Sequence, residues 1–334
     1  MTAAAAPLLS LRGMTKRFVQ RVDLAGRIAN AFGAGVRETV VQAVSDVDLD
    51  VAEGEVVGLV GESGCGKSTL GRIVAGILPQ TAGTMAWRGQ DVAAMGGRDR
   101  HAWQLAVQMI FQDPFASLNP RLRVSEIVGE APRVHGLIAA DRQAEYVADT
   151  LTQVGLDPAY ARRYPHQFSG GQRQRVGIAR ALAVKPDFIV CDEAVAALDV
   201  SVQAQILNLM VDLQRRLQLT YLFISHNLAV VEHLSDRVAI MYLGRLIEIA
   251  PAEDLFARPN HPYTQALLAE VPTLDAHRRT YKPIAGELPS PLDPPTGCAF
   301  HPRCPHAFAR CKVERPPIKE VAAGHFSACH LNDG

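Results

Sequence analysis

The sequence predicts an α/β fold with a parallel sheet at its core. Three observations support this prediction: short apolar runs, helical patterns of apolar residues between them, and a glycine-rich loop that joins one run to one helix. Apolar runs bounded by polar or turn residues are typical of strands that are covered on both faces. The predicted buried strands are Val56–Val60, Val107–Phe111, Phe188–Cys191 and Tyr221–Ile224.

The glycine-rich loop fits the phosphate-binding pattern G-x-x-x-x-G-K-[ST]. In this pattern, glycines turn backbone N–H groups toward phosphate oxygens and the lysine reaches the outer phosphates. A helix that begins near Lys67 would also direct the positive end of its dipole at a bound anion. The strand before the loop and the helical pattern after it are the context that the motif requires. The loop consists of Gly61, Glu62, Ser63, Gly64, Cys65, Gly66, Lys67, Ser68 and Thr69.

Length and composition leave room for about two domains with an apolar core. The chain has 334 residues, 48% of them hydrophobic, and its 34 basic residues equal its 34 acidic residues. This balance gives no support to nucleic acid or an anionic membrane as the main partner. No apolar run reaches about 18 residues, and Met1–Pro7 lacks the basic start of a signal peptide. The sequence therefore predicts a cytosolic protein.

The residues before the loop predict β structure. Leu8–Phe18 is typical of a strand, and Val40–Val51 alternates apolar and polar residues as a half-buried strand does. Arg21–Arg37 lies between them, has no steady period, and is predicted to be a loop. Phe18 suits either stacking on an adenine ring or packing in the core, and the sequence leaves both interpretations open.

A small helical subdomain is predicted after the second buried strand. A hairpin-like segment, Gly83–Asp91, comes before that strand, and Gln112 follows it, where a polar side chain can reach a magnesium ion or its water. The next proline, Pro114, blocks regular structure. Residues 113–166 then contain helical patterns broken by prolines, as expected for short packed helices.

A second candidate anion site precedes another helical pattern. A serine and two glycines at the start of a helix offer free N–H groups and a hydroxyl to an anion. An ordinary serine-capped helix is the alternative. Because one phosphate loop already accounts for one end of a nucleotide, a second site would need a separate use. The segment is Ser169, Gly170, Gly171 and Gln172.

Two adjacent carboxylates, Asp192 and Glu193, follow the third buried strand. In phosphate-loop enzymes a carboxylate at the end of a neighbouring strand holds Mg²⁺, and a second one can polarise the attacking water. Strand alternation points the two side chains in different directions, which suits two roles. His226 follows the fourth buried strand and is expected at the same carboxyl edge of the sheet.

Together, these motifs resemble the nucleotide-binding subunit of ABC transporters in their order and spacing. Ser169–Gln172 is the most specific of them, because ordinary phosphate-loop kinases and GTPases lack it. The resemblance implies an ATP-binding domain over residues 8–255, with a P-loop NTPase sheet core, an antiparallel β subdomain and an inserted helical subdomain at about 113–174. It also implies a head-to-tail dimer, in which the phosphate loop of one subunit and Ser169–Gln172 of its partner close on the same ATP.

The resemblance implies a role for each residue near the phosphates. Lys67 would bind the outer phosphates, Ser68 would ligate Mg²⁺, and Thr69 would support the phosphates. Gln112 would sense the metal and couple to the membrane partner, while Asp192 would position Mg²⁺ through water.

The resemblance implies roles for three further residues. Glu193 would be the general base, His226 would contact the γ-phosphate, and Asp199 would lie at the dimer seam. Ala194–Ala196 departs from the Pro-Thr-Ser of many relatives. The departure removes no catalytic side chain, so the chain is expected to hydrolyse ATP.

The C-terminal residues narrow the family. Thirteen of the 21 prolines lie beyond residue 250, which predicts a boundary there and a small Pro/Cys-rich extension over 256–334. His261–Leu268, Gly286–Pro291 and Gly297–Pro305 resemble the C-terminal extension of the oligopeptide, dipeptide and nickel importer ATPases.

The extension holds four of the six cysteines. Four thiolates can ligate an iron–sulfur cluster or a structural zinc ion. The absence of a C-x₂-C pair weakens the zinc interpretation, and the resemblance implies a [4Fe–4S] cluster; zinc or no metal remain the alternatives. The four are Cys298, Cys304, Cys311 and Cys329. Cys65 and Cys191 are expected to have simpler roles, Cys191 being packed in a strand.

The leading hypothesis is an ATPase subunit that powers import of dipeptides or oligopeptides. The resemblance implies a second ATPase subunit, a paralogue by family habit, two membrane permease subunits, and an extracytoplasmic binding protein. The chain would lie on the cytoplasmic face of the membrane as a peripheral protein. The alternatives are an importer subunit for nickel or another small solute, a soluble ABC-type ATPase acting on DNA or ribosomes, and a kinase or GTPase.

Overall fold

The computed structural model describes residues 6–20, 38–113, 117–270 and 286–333. The predicted loop Arg21–Arg37 lies outside these residues. None of the helices in the described ranges is long and apolar enough to cross a bilayer.

An antiparallel sheet is formed by strands from the first 91 residues of the chain. Strand β1 (Leu9–Gln20) pairs antiparallel with β2 (Thr39–Val51), as the two predicted strands require. After β3 (Val56–Val60), which belongs to the other sheet, β4 (Ala82–Trp87) pairs with β1 and with the short β5 (Gln90–Asp91). The order is β2-β1-β4-β5, so the predicted hairpin is confirmed.

The central sheet is mixed. Parallel pairing joins β3 to β8 (Thr220–Ile224) and β9 (Arg237–Tyr242), β8 to β7 (Phe188–Asp192), and β7 to β6 (Val107–Ile110). The antiparallel edge consists of β10 (Arg245–Pro251), β12 (His325–Ser327) and β11 (Lys319–Ala322), in the order β11-β12-β10-β9-β3-β8-β7-β6. The α/β prediction and the four predicted buried strands are confirmed.

Helices cover both faces of this sheet. Alternate residues of β3 enter two separate apolar clusters: Val56 and Val60 belong to one, Val57 and Leu59 to the other. A strand buried on both faces needs apolar residues at every position, which explains the unbroken runs in the sequence. The helices are α1 (Lys67–Val74), α2 (Gly97–Ala106), α3 (Val124–Val134), α4 (Gln143–Gln153), α5 (Gly170–Leu182), α6 (Val200–Leu217), α7 (Leu228–Leu234), α8 (Ala252–Ala257), α9 (Pro262–Ala269) and α10 (Ala309–Val313).

The helical subdomain packs α3, α4 and the start of α5 against one another. Val128 of α3 and Leu151 of α4 are fully buried where these helices meet. Pro132 was expected to interrupt helical structure, but it lies inside α3, two residues before the helix ends. A proline lacks the N–H that would bond to the carbonyl four residues earlier and its ring crowds that carbonyl, and the helix ends at Val134.

The C-terminal residues join the central sheet. In the pairing of β10 with β12, Glu248 lies opposite Ser327 and Ile249 lies opposite Phe326. Strands from both sides of residue 255 therefore share one hydrogen-bonded sheet. The proposed division at that residue stays a prediction.

A buried carboxylate ties this edge together. Glu248 is fully buried, and its oxygens accept the backbone N–H groups of Asn260 at 2.7 Å and His261 at 3.0 Å. Nε2 of His325 in β12 lies 2.7 Å from Oε1 of Glu248. Burial also lowers the pKa of the neighbouring His261 to about 4. One side chain therefore links β10, the segment before α9, and the last hairpin.

We predict that Glu248→Ala lowers the free energy of unfolding by about 3 kcal/mol, because two backbone donors and an imidazole lose their partner without access to water. Urea denaturation followed by circular dichroism measures the change. Glu253→Gln is the matched control, since Glu253 is exposed in the first turn of α8 and should leave stability unchanged. Equal stability of the two variants would contradict the role assigned to Glu248.

Candidate nucleotide-binding site

The phosphate loop follows β3 and ends at α1, which begins at Lys67 as predicted. Gly66 has φ of 110°, and a Cβ atom there would lie 2.1 Å from the backbone oxygen of Ala43. A Cβ at Gly61 would lie 2.1 Å from the oxygen of Met241. These two positions therefore accept only glycine, because the loop backbone is pressed against neighbouring strands.

Lys67 is buried within the loop. Its Nζ donates to the backbone oxygens of Gly61 at 2.7 Å and Glu62 at 3.0 Å, and it lies 3.8 Å from Sγ of Cys65. Burial raises the pKa of the Cys65 thiol. Only 5% of Lys67 is exposed, so the loop holds a cation at the N-terminal end of α1, where an anion is favoured.

Ser68 and Asp192 meet at the carboxyl edge of the sheet. Oγ of Ser68 donates to Oδ1 of Asp192 at 2.7 Å. Burial raises the pKa of Asp192, and the Ser68 hydrogen bond offsets part of that rise. A hydroxyl and a carboxylate are hard oxygen ligands of the kind that Mg²⁺ prefers, so the side-chain oxygens of Ser68 and Asp192 fit the ion.

Glu193 lies between Gln112 and His226. Nε2 of Gln112 donates to Oε2 of Glu193 at 2.7 Å, and Nδ1 of His226 lies 3.3 Å from Oε1. Glu193 has φ of 48°, a left-handed conformation that costs about 1 kcal/mol in a residue with a Cβ. Its N–H donates to the Ile224 oxygen at 3.0 Å, which holds that conformation. The adjacent Asp192 thus turns toward Ser68 while Glu193 turns toward Gln112 and His226.

A pocket of about 370 Å³ opens beside the loop. Phe18, near the end of β1, lies on its wall with 42% of the residue exposed and the Lys16 ammonium 5.2 Å from its ring centre. This exposed position argues against packing of Phe18 in the core, and stacking on an adenine ring stays a prediction. The remaining lining residues are Val41, Ala43, Ser63, Gly64, Gly66, Lys67, Ser68, Thr69, Gln112, Glu193 and Pro291.

Sequence analysis missed Pro291 as a site residue. Its carbonyl accepts the backbone N–H of Gln42 at 3.2 Å, which attaches the extension to β2 beside the pocket. Gly286–Pro291 was noted only for its resemblance to the extension of the importer ATPases. Nothing in that stretch indicated that a residue near position 290 would lie beside the phosphate loop.

Ser169–Gln172 forms the start of α5. Ser169 Oγ accepts the Gln172 N–H at 3.4 Å, and the Gln172 side chain accepts the Ser169 N–H at 3.1 Å. A Cβ at Gly171 would lie 2.4 Å from Val202, and one at Gly170 would lie 3.3 Å from Leu198. These four residues do not line the pocket around Lys67. The second predicted anion site is therefore separate from the phosphate loop within one chain.

Asp199 caps α6. Its Oδ1 accepts the Val202 N–H at 3.1 Å and the Ser201 hydroxyl at 2.9 Å, and these bonds lower the pKa of Asp199. This residue also lies outside the pocket around Lys67. Its predicted place at a dimer seam stays a prediction.

The four cysteines of the extension share one neighbourhood. Burial raises the pKa of Cys298 to about 11, and Cys311, Cys329 and Cys304 add to the rise. The Cys298 N–H donates to the Cys311 oxygen at 2.8 Å. Within the described ranges, however, no three Cys, His, Asp or Glu side chains form a group that could hold a metal ion. The arrangement does not fit the predicted iron–sulfur cluster or its zinc alternative. Cys191, by contrast, is packed within β7 as expected.

The extension also reaches the phosphate loop directly. Arg303 donates two hydrogen bonds to the Glu62 carboxylate, at 2.7 and 3.0 Å, and the Tyr263 hydroxyl accepts the Glu62 N–H at 2.9 Å. Sequence analysis gave Glu62 no partner. The two residues of the ion pair are 241 positions apart, and no local pattern links them.

Comparison with known proteins identifies the family to which the chain belongs. The family model "ABC transporter" matches residues 44–196, and the model "Oligopeptide/dipeptide transporter, C-terminal region" matches residues 247–311. A "Putative peptide import ATP-binding protein" of Brucella ovis is 49% identical over 324 residues, 97% of each chain. The chain belongs to the ABC transporter family of ATP-binding proteins. The family prediction is thereby confirmed.

Other relatives of this ABC protein agree. The "Oligopeptide transport ATP-binding protein AppF" of Bacillus subtilis is 47% identical over 336 residues and covers 99% of both chains. Two solved structures match with a TM-score of 0.61. One, cbiO1 of Clostridium perfringens, is 24% identical and covers 76% of this chain and 92% of that one. The other, the dimeric cassette MJ0796 bound to ADP and Pi, is 25% identical and covers 73% and 98%.

We predict that Gly66→Ala weakens MgATP binding by about tenfold to a hundredfold, because strain of this kind costs about 1–3 kcal/mol. Titration with a fluorescent ATP analogue measures the affinity. Gly97→Ala is the control, since a Cβ at the start of α2 meets no atom within 4 Å. Unchanged affinity in Gly66→Ala would contradict the steric argument.

Proposed function

We propose that this chain is the ATP-binding and ATP-hydrolysing subunit of an importer that moves peptides through separate membrane subunits. The observation that carries the proposal is the row of polar side chains at the carboxyl edge of the sheet. Ser68 contacts Asp192, and Gln112 and His226 both contact Glu193, all next to the phosphate loop. Family membership supports the same chemistry.

ATP would occupy the pocket with its phosphates at the N-terminal end of α1. The Lys67 ammonium, which donates to the carbonyls of Gly61 and Glu62, would exchange part of that bonding for phosphate oxygens. Ser68 and Asp192 would hold Mg²⁺, which neutralises phosphate charge when bound. Phe18 on the wall of the pocket would stack on the adenine ring.

Glu193 would act as the general base. Its carboxylate would take a proton from the water that attacks the γ-phosphorus, as the bond to the β–γ bridging oxygen breaks and ADP and phosphate form. Gln112 and His226 would orient the carboxylate from its two sides. His226 would also reach the γ-phosphate, since most of its side chain is exposed beside Glu193.

Two subunits would share each ATP. Ser169–Gln172 would present the N-terminal end of α5 to the nucleotide of the opposing subunit, with Asp199 at the seam. This arrangement gives a use to a helix start that lies outside the pocket of its own chain. The solved MJ0796 relative, described as dimeric, is a precedent for the pairing.

We predict that Glu193→Gln binds MgATP and forms a stable dimer but turns over at least about a hundredfold more slowly, because the amide cannot accept the proton of the water. Phosphate release and size-exclusion chromatography with ATP measure the two effects. Lys67→Ala is the contrasting variant: it should lose both ATP binding and the dimer. Near-normal turnover in Glu193→Gln would show that another group activates the water.

Peptides are the proposed cargo class. The relatives named above are described as a peptide import and an oligopeptide transport ATP-binding protein, and the C-terminal family model is described as an oligopeptide/dipeptide transporter region. The chain would bind no peptide itself. Its partners would be a second, paralogous ATPase, two permease subunits and an extracytoplasmic binding protein, with the region around 113–135 pressing on the permease at the cytoplasmic face of the membrane. Nickel or another small solute is the alternative cargo.

We predict that the chain is recovered with membranes only when permease subunits are co-expressed, because its attachment would be to protein and not to lipid. Membrane flotation with and without those subunits measures this attachment. A chain that instead stays with ribosomes or DNA in both cases would favour the alternative of a soluble ABC-type ATPase. Peptide uptake by the assembled complex, compared with nickel uptake, separates the two cargo classes.

The [4Fe–4S] cluster stays a prediction, with zinc or no metal as its alternatives. Its support is the resemblance of the cysteine-containing extension to that of the importer ATPases, since the described side chains themselves form no group that could hold a metal ion. Iron and zinc analysis of anaerobically purified protein, with its visible spectrum, decides among the three.

A further inference from the structure

Glu62 in the phosphate loop is held at three points. Its N–H donates to the Tyr263 hydroxyl at 2.9 Å, and its carbonyl accepts Nζ of Lys67 at 3.0 Å. Its carboxylate accepts two hydrogen bonds from Arg303, at 2.7 and 3.0 Å. Two of these three attachments come from the C-terminal extension, and the third is the lysine that would bind the phosphates. The extension thus contacts the loop two residues after the end of β3.

Arg303 is set rigidly in the extension. Its side chain is 5% exposed, and its N–H donates to the Phe300 oxygen at 3.0 Å. The Phe300 ring packs 5.4 Å from the rings of Tyr242 and Tyr263, both of which are fully buried. The arginine and the tyrosine that hold Glu62 therefore belong to one aromatic cluster, formed by the end of β9, α9 and the turn before Cys304.

The charge of Glu62 explains why this contact bears on nucleotide binding. A carboxylate in the loop that receives a triphosphate repels the ligand unless a cation neutralises it. A guanidinium is always charged, and its planar fork matches a carboxylate with two parallel hydrogen bonds. The Glu62 hydrogen bond raises the pKa of Arg303 further, as expected for a tight pair.

We propose that Arg303 and Tyr263 are positioning residues of the phosphate loop, which act through Glu62 and make ATP affinity depend on the C-terminal extension. Arg303 neutralises the Glu62 carboxylate and fixes its direction, while Tyr263 fixes the Gly61–Glu62 peptide, whose Gly61 carbonyl accepts Nζ of Lys67 at 2.7 Å. This inference rests on the proposed function, because it requires ATP to bind at Gly61–Thr69.

The test is a double-mutant cycle on the full-length chain, with MgATP affinity and the steady-state KM and kcat as readouts. Arg303→Ala should raise the Kd and KM for MgATP by about tenfold while kcat at saturating ATP falls by less than about twofold, since the residue touches no reacting atom. Glu62→Gln should lower the Kd by about threefold, because it leaves the Arg303 charge without its partner carboxylate. In the Glu62→Gln background, Arg303→Ala should raise the Kd by no more than about threefold, back to that of the unmodified chain, because no carboxylate is uncovered.

Salt gives a second readout. If an uncovered Glu62 charge causes the loss of MgATP affinity, the ratio of the Kd of Arg303→Ala to the Kd of the unmodified chain should fall when ionic strength rises from about 0.05 M to about 0.5 M. Tyr263→Phe should raise the KM by about threefold without this salt dependence, because no charge is uncovered. Arg310→Ala is the control, since Arg310 pairs with Glu314 and Asp333 elsewhere in the extension and should leave the KM unchanged.

Several results would overturn the inference. An about tenfold loss of MgATP affinity in Arg303→Ala that persists in full in the Glu62→Gln background and at high salt would indicate general loosening of the extension. Wild-type affinity in Arg303→Ala would also overturn it and leave the proposed function standing. If Arg303→Ala does not fold, Arg303→Lys takes its place with an expected two- to fivefold rise in KM, and a tighter Glu62→Gln is still required. A chain that binds no MgATP at all would overturn both proposals.

Discussion

Parallel pairing of β6, β7, β8 and β3 is the constraint on which the site depends. Parallel neighbours end at the same edge of a sheet, so residues from four distant parts of the chain are delivered to one place. The pairing sets Ile110 opposite Cys191 and Asp192 opposite Ile224. Gln112, Glu193 and His226 then follow within two residues of those strand ends. A slip of one residue in β7 would exchange the directions of Asp192 and Glu193.

Much of this arrangement could be predicted from the sequence because it is encoded locally. Unbroken apolar runs specify strands covered on both faces, and Gly61 and Gly66 of the phosphate loop stand where a Cβ would strike a neighbouring backbone. The polar residue after each run then has only one edge to occupy. The position of Lys67 at the start of α1, the hairpin, and the placement of Glu193 and His226 at one edge of the sheet all follow from such short-range patterns combined with one topological rule.

What could not be predicted depends on pairs that only the folded chain brings together. The bond from Arg303 to Glu62 joins two residues with no local signal, and Pro291 enters the pocket wall through a single backbone hydrogen bond to Gln42. The cysteine spacing was compatible with a metal site, yet the described side chains form no metal-holding group. Spacing along the chain does not fix distances between side chains on separate turns, whereas a continuous strand does fix its own periodicity.

The last hairpin, β11–β12, limits where this chain can be shortened. Strand β10 would be the outer strand of the sheet if β12 did not pair with Glu248 and Ile249. A chain ending near residue 255 would present open backbone N–H and C=O groups along a mostly apolar strand, a surface that attracts strands of other molecules. It would also leave the Glu248 carboxylate without the N–H groups of Asn260 and His261 and without the His325 side chain. The last hairpin thus covers an edge strand that residues before 255 would leave open.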